Sequence, residues 1–268
     1  MNALDIPSSS NIKLPKVSPF DRQSTSVLAL INDRRAELSL SFVPRVGFRR
    51  KGHGVPGLTD QIRLKLCAAN SPTFRRRRPG AAKSVSSAKR GRALDHIMDL
   101  LYDHKLALDR APPVLQWWAT EIARREWKPV STQVIAAWKY AVATSVDEIL
   151  YGDGGLVIVE RKSGSIDDEA LFGQWSTRNK FLHKGPFKDH PLVDSQYTRH
   201  QLQAAISAHL IAKTYGSRSL RVTGVYLVYL DRRAVIRVDD QEWFKSDRME
   251  AVCKHFRDSN GPTDRKND

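Results

Sequence analysis

The stretch Ser145-Val146-Asp147-Glu148-Ile149-Leu150-Tyr151-Gly152-Asp153-Gly154-Gly155-Leu156-Val157-Ile158-Val159-Glu160-Arg161-Lys162 decides the fold. Asp-Gly is the strongest short signal for a two-residue hairpin turn, and here it lies between two runs rich in β-formers. With Asp153 and Gly154 as the loop, the register follows: Gly152 faces Gly155, Ile149 faces Ile158, and Asp147 faces Glu160. Strand alternation then sets Leu156, Ile158, Glu160 and Lys162 on one face, and Val157, Val159 and Arg161 on the other. Apolar residues cover both faces, so the second strand is expected to be buried and central, with charge at its end.

Opposed side chains in an antiparallel pair have Cβ atoms about 4.5–5.5 Å apart, where like charges destabilise a sheet. Asp147 opposite Glu160 therefore needs compensation. A structural ion pair between Glu160 and Lys162 would leave Asp147 unexplained and would be costly in an apolar setting. A divalent cation compensates both carboxylates, because hard ions such as Mg²⁺ or Mn²⁺ take oxygen ligands and acidify a bound water. On that reading Asp147 and Glu160 are metal ligands. Lys162 orients or activates the attacking water and offsets charge on a phosphorane-like transition state.

The same residues resemble the motif of the PD-(D/E)XK nucleases, in their RecB-like branch, which includes viral exonucleases similar to that of phage lambda. The Glu-x-Lys fragment alone carries no weight, since an acidic residue two before Lys recurs at Asp103/Lys105, Glu126/Lys128 and Asp264/Lys266. Only the copy at Glu160 has the strand, the hairpin and an upstream Asp in register. The branch opens with a helix carrying Gly and, four residues on, a metal-binding His; Gly91-Arg92-Ala93-Leu94-Asp95 puts Asp95 there, with His96 as the alternative. It also has a Gln-x-x-x-Tyr helix after the catalytic strand. Gln203 to Ser207 resembles it, with Ser where Tyr is expected and Gln201 as the other alignment.

The resemblance, over about residues 91–240, implies a catalytic set of Asp147, Glu160, Lys162 and Gln203. Its implied metal set is Asp147, Glu160, Asp95 and Arg161, holding Mg²⁺ or Mn²⁺. It implies an α/β fold with a restriction-endonuclease-like core, a mixed central sheet flanked by helices. The expected activity is hydrolysis of DNA phosphodiester bonds, exonucleolytic on single- or double-stranded ends, leaving a 5′-phosphate. Two other readings stay open: a catalytically inactive nucleic-acid-binding protein on a decayed nuclease fold, and an interaction or packaging protein with no metal site. Tyr197, Arg199 and His200 are weaker candidates for contact with phosphate or an unpaired base.

Outward from the motif, a helix is expected from Arg92, with Leu94, Ile97, Met98, Leu101 and Leu106 as its stripe, and a second from Val114 to Trp127. Strands are expected over Val130–Trp138, Ala141–Leu150 and Leu156–Lys162. A polar excursion over 163–194 leads to a helix through Leu202, Ala205, Ile206 and Leu210 that ends near Gly216. Two strands, Val222–Leu230 and Ala234–Val238, precede a last helix around Trp243–Phe256.

The 268-residue chain has a formal charge of +15. Residues 1–92 hold 19 Lys+Arg against 5 Asp+Glu, and residues 93–268 hold 25 against 24. The excess therefore belongs to the first third, rich in Ser, Pro and Arg, which we read as a basic, largely disordered N-terminal arm over 1–90. The nuclease domain is expected over 91–258, with a disordered tail over 259–268. Arg75, Arg76, Arg77, Arg78, Lys89, Arg90 and Arg92 are the candidate nucleic-acid-binding residues of this region, which could instead be a targeting signal or a solvated charge run. Cys67 and Cys253 are the only cysteines, too few for a four-cysteine zinc or iron–sulfur site. No apolar run is long enough to span a bilayer and no signal-peptide pattern follows Met1, so an intracellular protein with no membrane partner is expected.

Overall fold

The computed structural model of the protein describes residues 25–44, 46–66, 82–163, 181–182, 185–187, 192–217, 220–241 and 243–260. In chain order the elements are α1 (Thr25–Glu37), β1 (Leu40–Val43), β2 (Gly47–Arg50), β3 (His53–Val55) and a short α2 (Leu58–Gln61) that runs into a π-turn over Ile62–Leu66. They continue with α3 (Ala82–Tyr102), α4 (Pro113–Arg124), β4 (Lys128–Trp138), β5 (Val142–Gly152) and β6 (Gly155–Lys162). A small pair, β7 (Phe181–Leu182) and β8 (Leu192–Val193), precedes α5 (Gln196–Tyr215), β9 (Val222–Tyr229), β10 (Ala234–Arg237) and α6 (Ser246–Ser259).

The protein is mixed α/β, built on a five-stranded sheet of order β10-β9-β6-β5-β4 with a separate three-stranded antiparallel sheet, β1-β2-β3. Local chemistry sets the element ends. Asp153 and Gly154 sit at φ of 53° and 74°, the doubly left-handed turn that Asp-Gly favours between β5 and β6. Pro113 opens α4 at the first turn, where its missing N–H costs nothing. Ser195 caps α5, its Oγ accepting from the Thr198 N–H at 3.1 Å.

All pairs within the large sheet are antiparallel except β6 with β9, which run parallel through the crossover helix α5. Alternation along β6 gives it two buried faces. Leu156 and Ile158 join Leu202, Ala205 and Ile206 of α5 and Val252 and Phe256 of α6 in one core. Val157 and Val159 join Met98 and Leu101 of α3 and Leu115, Trp118 and Ile122 of α4 in a second.

Residues 25–66 overturn the expectation of a disordered segment over 1–90. Ile31 of α1, Leu58 of α2, and Ile62 and Leu66 of the π-turn are buried in the same core as α5 and α6. Leu40 and Val55 of the small sheet are buried against Ile135, Ala137 and Ala143 of the β4–β5 hairpin. Polar stitches join the segment to the rest: Arg34 Nε donates to Thr214 O at 3.3 Å and Lys65 Nζ to Ser259 O at 2.7 Å. The average composition of the segment is basic, but its apolar side chains fall at spacings that bury them, and burial decides order. The helix expected from Arg92 begins ten residues earlier, at Ala82, so the boundary at residue 91 falls inside α3. Arg75, Arg76, Arg77 and Arg78 lie outside the described residues, as do 1–24 and the tail from 261.

Candidate active site

The expected register holds for Gly152↔Gly155, Tyr151↔Leu156, Leu150↔Val157, Ile149↔Ile158 and Glu148↔Val159. It then stops one step short of Asp147 and Glu160. The Arg161 N–H donates to Asp147 Oδ2 at 2.8 Å, so the Asp147 carboxylate takes a donor that would otherwise serve the ladder. Arg161 Nη2 reaches the Asp147 main-chain oxygen at 3.4 Å. Past this point β6 remains paired only with β9, Glu160 against Leu227 and Lys162 against Tyr229. Asp147 and Glu160 thus lie where two strands part, rather than as a regular cross-strand pair.

Glu160 is completely buried. Its Oε2 accepts from Gln203 Nε2 at 3.0 Å and lies 3.4 Å from Lys162 Nζ, while its Oε1 has no partner. Lys162 Nζ also donates to Gln203 Oε1 at 3.0 Å. Gln203 bridges the two ends of the Glu-x-Lys motif, donating to the carboxylate and accepting from the ammonium, a match to its two-sided amide. Burial first, and the neighbouring Asp147 charge second, push the Glu160 carboxyl up to about 8, with Lys162 opposing them. Without a compensating cation this glutamate therefore holds a proton at neutral pH.

α5 carries the polar wall facing this group. Ser207, four residues beyond Gln203, is buried, hydrogen-bonded to Thr144 Oγ1 at 3.2 Å, and directed at Glu160. His200, three residues before Gln203, has Nδ1 2.9 Å from the Tyr229 hydroxyl. Burial, reinforced by Lys162, holds His200 well below its usual range, so its ring is neutral. Gln201 is also buried, and the hydrogen bonds of Glu160 and Lys162 go to Gln203 and not to it; helical spacing lets only one of the two glutamines face the site.

The opposite face of β5 and β6 holds a second acidic group. Glu148 is also completely buried, but both its oxygens are satisfied, Oε1 by the Tyr102 hydroxyl and Oε2 by Trp118 Nε1 at 2.8 Å. Burial raises its pKa as well. Arg161 points here, its Nη1 3.6 Å from Glu148 Oε2, an ion-pair distance too long for a hydrogen bond. Its Nη2 lies 3.2 Å from Asp95 Oδ1. The sequence reading missed Glu148 altogether; a glutamate following Asp147 in an apolar strand was the available signal.

Of the expected metal ligands beyond Asp147 and Glu160, Arg161 is unsuited by its chemistry. The Arg161 guanidinium has no lone pair for a cation and lies on the far face of the strand. Asp95, brought close by α3, sets one carboxylate oxygen 3.2 Å from Arg161 Nη2; burial raises its pKa against the opposing Arg161 charge, with Asp147 and Lys162 also within electrostatic reach. α3 approaches the end of β6 closely, and a Cβ at Gly91 would lie 3.0 Å from Ser163 Oγ. His96 is exposed. Among the described residues no three His, Cys, Asp or Glu side chains are gathered to hold a metal ion. Asp147 and Glu160 still fit a divalent cation of the Mg²⁺ kind, which commonly takes one or two carboxylates and fills its other positions with water and substrate phosphate. The partnerless Glu160 Oε1 supplies the acceptor such an ion needs.

Of the basic candidates, Lys89, Arg90 and Arg92 lie along α3 and are exposed, and Arg90 ion-pairs with Asp231 at 2.5 Å. Arg199 is engaged in a two-pronged pair with Asp194 at 2.8 and 2.9 Å, which anchors the start of α5 and takes up the fork that a phosphate would need. Among the described residues no helix is long and apolar enough to cross a membrane. No model of a known protein family matches the chain, and no curated protein matches it.

Proposed function

We propose that the chain is a metal-dependent nuclease that hydrolyses DNA phosphodiester bonds, on a core of the restriction-endonuclease type, as its resemblance to the RecB-like PD-(D/E)XK branch implies. One observation carries the reading. A fully buried glutamate with an unpartnered oxygen sits beside a second carboxylate and a lysine, at the point where two central strands separate. A purely structural group would be expected to have its lone pairs satisfied, as those of Glu148 are.

Asp147 and Glu160 would hold Mg²⁺ or Mn²⁺, which when bound acidifies water and draws charge from a phosphate. The Arg161 N–H fixes the Asp147 carboxylate. Gln203 bridges the Glu160 carboxylate and the Lys162 ammonium, holding both in place before reaction. Lys162 orients the attacking water and offsets the negative charge that builds on the phosphorus oxygens as the bond to the leaving 3′-oxygen breaks.

The reading is tested with end-labelled DNA and the full chain, with and without Mg²⁺ or Mn²⁺. Asp147→Ala or Glu160→Ala removes metal-dependent cleavage and leaves DNA binding largely intact. Unchanged turnover in either variant overturns the proposal. Binding without any cleavage by the native chain supports the catalytically inactive alternative.

A further inference from the structure

Of the non-glycine residues with positive φ among those described, seven lie in turns and only Gln133, at 49°, lies inside a strand. A side chain makes this left-handed conformation costly, so it persists only where the surrounding structure enforces it, and such residues gather at functional sites. Gln133 stands opposite Asp147. β4 and β5 pair Thr132 with Glu148 and Val134 with Val146, but the ladder skips the two residues between.

Both strands turn over at this skipped step. Residues two apart in a regular strand share a face. Val134 and Val146 lie in the core against α5. Two residues away, Thr132 Oγ1 donates to Asp99 Oδ1 of α3 at 2.7 Å, and Glu148 accepts from Trp118 Nε1 of α4, both on the other side of the sheet. Alternation continued from Val146 would turn Asp147 away from α5, whereas alternation traced back from Glu148 would turn it towards α5. Asp147 takes neither position: its Oδ2 accepts the Arg161 N–H at 2.8 Å, in the seam between β5 and β6. From there its charge reaches Glu160 on one face and Glu148 and Asp95 on the other. The left-handed backbone of Gln133 lets β4 follow the turn-over, as a bulge does when it re-aims a neighbouring side chain. Its side chain adds one tie, Oε1 accepting from Ser145 Oγ at 3.0 Å, two residues before Asp147 on β5.

We infer that Gln133 is a positioning residue: its left-handed backbone sets the step at which Asp147 leaves the alternation of β5 and holds the Asp147 carboxylate in the seam beside Glu160. That this carboxylate serves as a metal ligand rests on the nuclease reading; its orientation does not.

The test compares Gln133→Gly, which adopts the left-handed conformation without strain, with Gln133→Val, whose branched Cβ resists it. Two readouts on the full chain separate orientation from ligation: amide exchange of Arg161 by NMR in EDTA, and Mn²⁺ affinity by calorimetry without DNA. Thermal melts show which variants are folded, and Gln133→Ala takes the place of Gln133→Val should the latter unfold. Gln133→Gly keeps slow Arg161 exchange and native Mn²⁺ affinity. Gln133→Val speeds Arg161 exchange and weakens Mn²⁺ about 10–100-fold, the scale for residues that support a metal ligand. Native values of both readouts in folded Gln133→Val or Gln133→Ala overturn the inference and leave the skipped step as a device that blunts the edge strand β4. Loss of both in Gln133→Gly also overturns it, moving the role to the hydrogen bond with Ser145. Fast Arg161 exchange in Gln133→Val of a chain that binds no Mn²⁺ supports the positioning role while sinking the metal reading.

Discussion

Glu148 and Glu160 lie on neighbouring strands of one sheet, each wholly shielded from water and each raised in pKa by that burial, yet they face different surroundings. Below the sheet, Glu148 has a hydroxyl on one oxygen, an indole N–H on the other, and a guanidinium beyond. Above it, Glu160 has one oxygen held by Gln203 and Lys162, the other with no hydrogen bond of normal geometry but with Ser207 directed at the carboxyl group, and Asp147 as an acidic neighbour. Burial alone does not mark a functional acid. The oxygen without a hydrogen bond and the adjacent acid do, because both carry a cost that a bound proton or a cation must offset.

The sharpest way to break the contrast is to delete each carboxylate and watch the fold. Glu148→Ala removes the acceptor of the Tyr102 hydroxyl and the Trp118 N–H and the buried carboxylate 3.6 Å from Arg161 Nη1, leaving Arg161 with Asp95, and removing one side of a buried pair costs about 3–5 kcal/mol. That is a large part of a typical stability of about 5–15 kcal/mol, so urea melts should show the variant close to unfolded. Glu160→Ala in EDTA should lose far less at pH 9, above the raised pKa of about 8, where the ionised carboxylate faces Asp147 and a like-charge contact goes with it. Equal losses would erase the distinction between the two sites.

Gln203 and Gln201 sharpen it on one helix. Gln203→Ala is expected to lower turnover about 10–100-fold, the scale for residues that orient a metal-binding or charged group. Gln201→Ala should change turnover little. A larger effect from Gln201 would mean that Gln203 does not hold the working geometry.

Titration gives a smaller effect with a defined sign. The folded-state pKa of Glu160, about 8, lies above its ordinary 4.5, so the folded metal-free chain binds a proton that the unfolded chain releases. That contribution to stability is complete below about pH 4.5 and is lost as pH rises through about 8. Thermal melts in EDTA should therefore fall from pH 5 to pH 9 more steeply for the native chain than for Glu160→Gln. Added Mg²⁺ should raise the melting temperature more at pH 8 than at pH 6, because a protonated carboxyl ligates poorly. Parallel pH curves for the two proteins would contradict the assigned shift. Smallest of all, Asp95→Asn should weaken the tie to Arg161 but leave metal-dependent cleavage measurable; complete loss would return Asp95 to the ligand set.

The sequence was informative where geometry is set by a few residues. Asp153-Gly154 specified the β5–β6 register, and alternation from it assigned Glu160 and Lys162 to one face and Arg161 to the other. Helical spacing separated Gln203 from Gln201. What the pattern could not carry was a side chain competing with the backbone: Asp147 accepts the Arg161 N–H, and the ladder ends one pair before the two carboxylates would have faced each other. The small sheet was missed because its strands run only three or four residues each. Its signals were there, in the alternation of Leu40 and Phe42 and in Lys51-Gly52, a two-residue turn at φ of 47° and 79°, but a high density of Arg masked them. The partner of Glu148 comes from α3 and α4, and no local pattern encodes a contact across so many residues.

The claim that Glu160, Asp147 and Lys162 form a working centre is tested most directly by one assay. The purified full chain is incubated with DNA labelled separately at its 5′ and 3′ ends, single- and double-stranded, with Mg²⁺ or with EDTA, beside Lys162→Ala. Metal-dependent release of products bearing a 5′-phosphate, reduced at least about 10²-fold in the variant, is the predicted result. No cleavage in either metal, or equal cleavage by the two proteins, would contradict it.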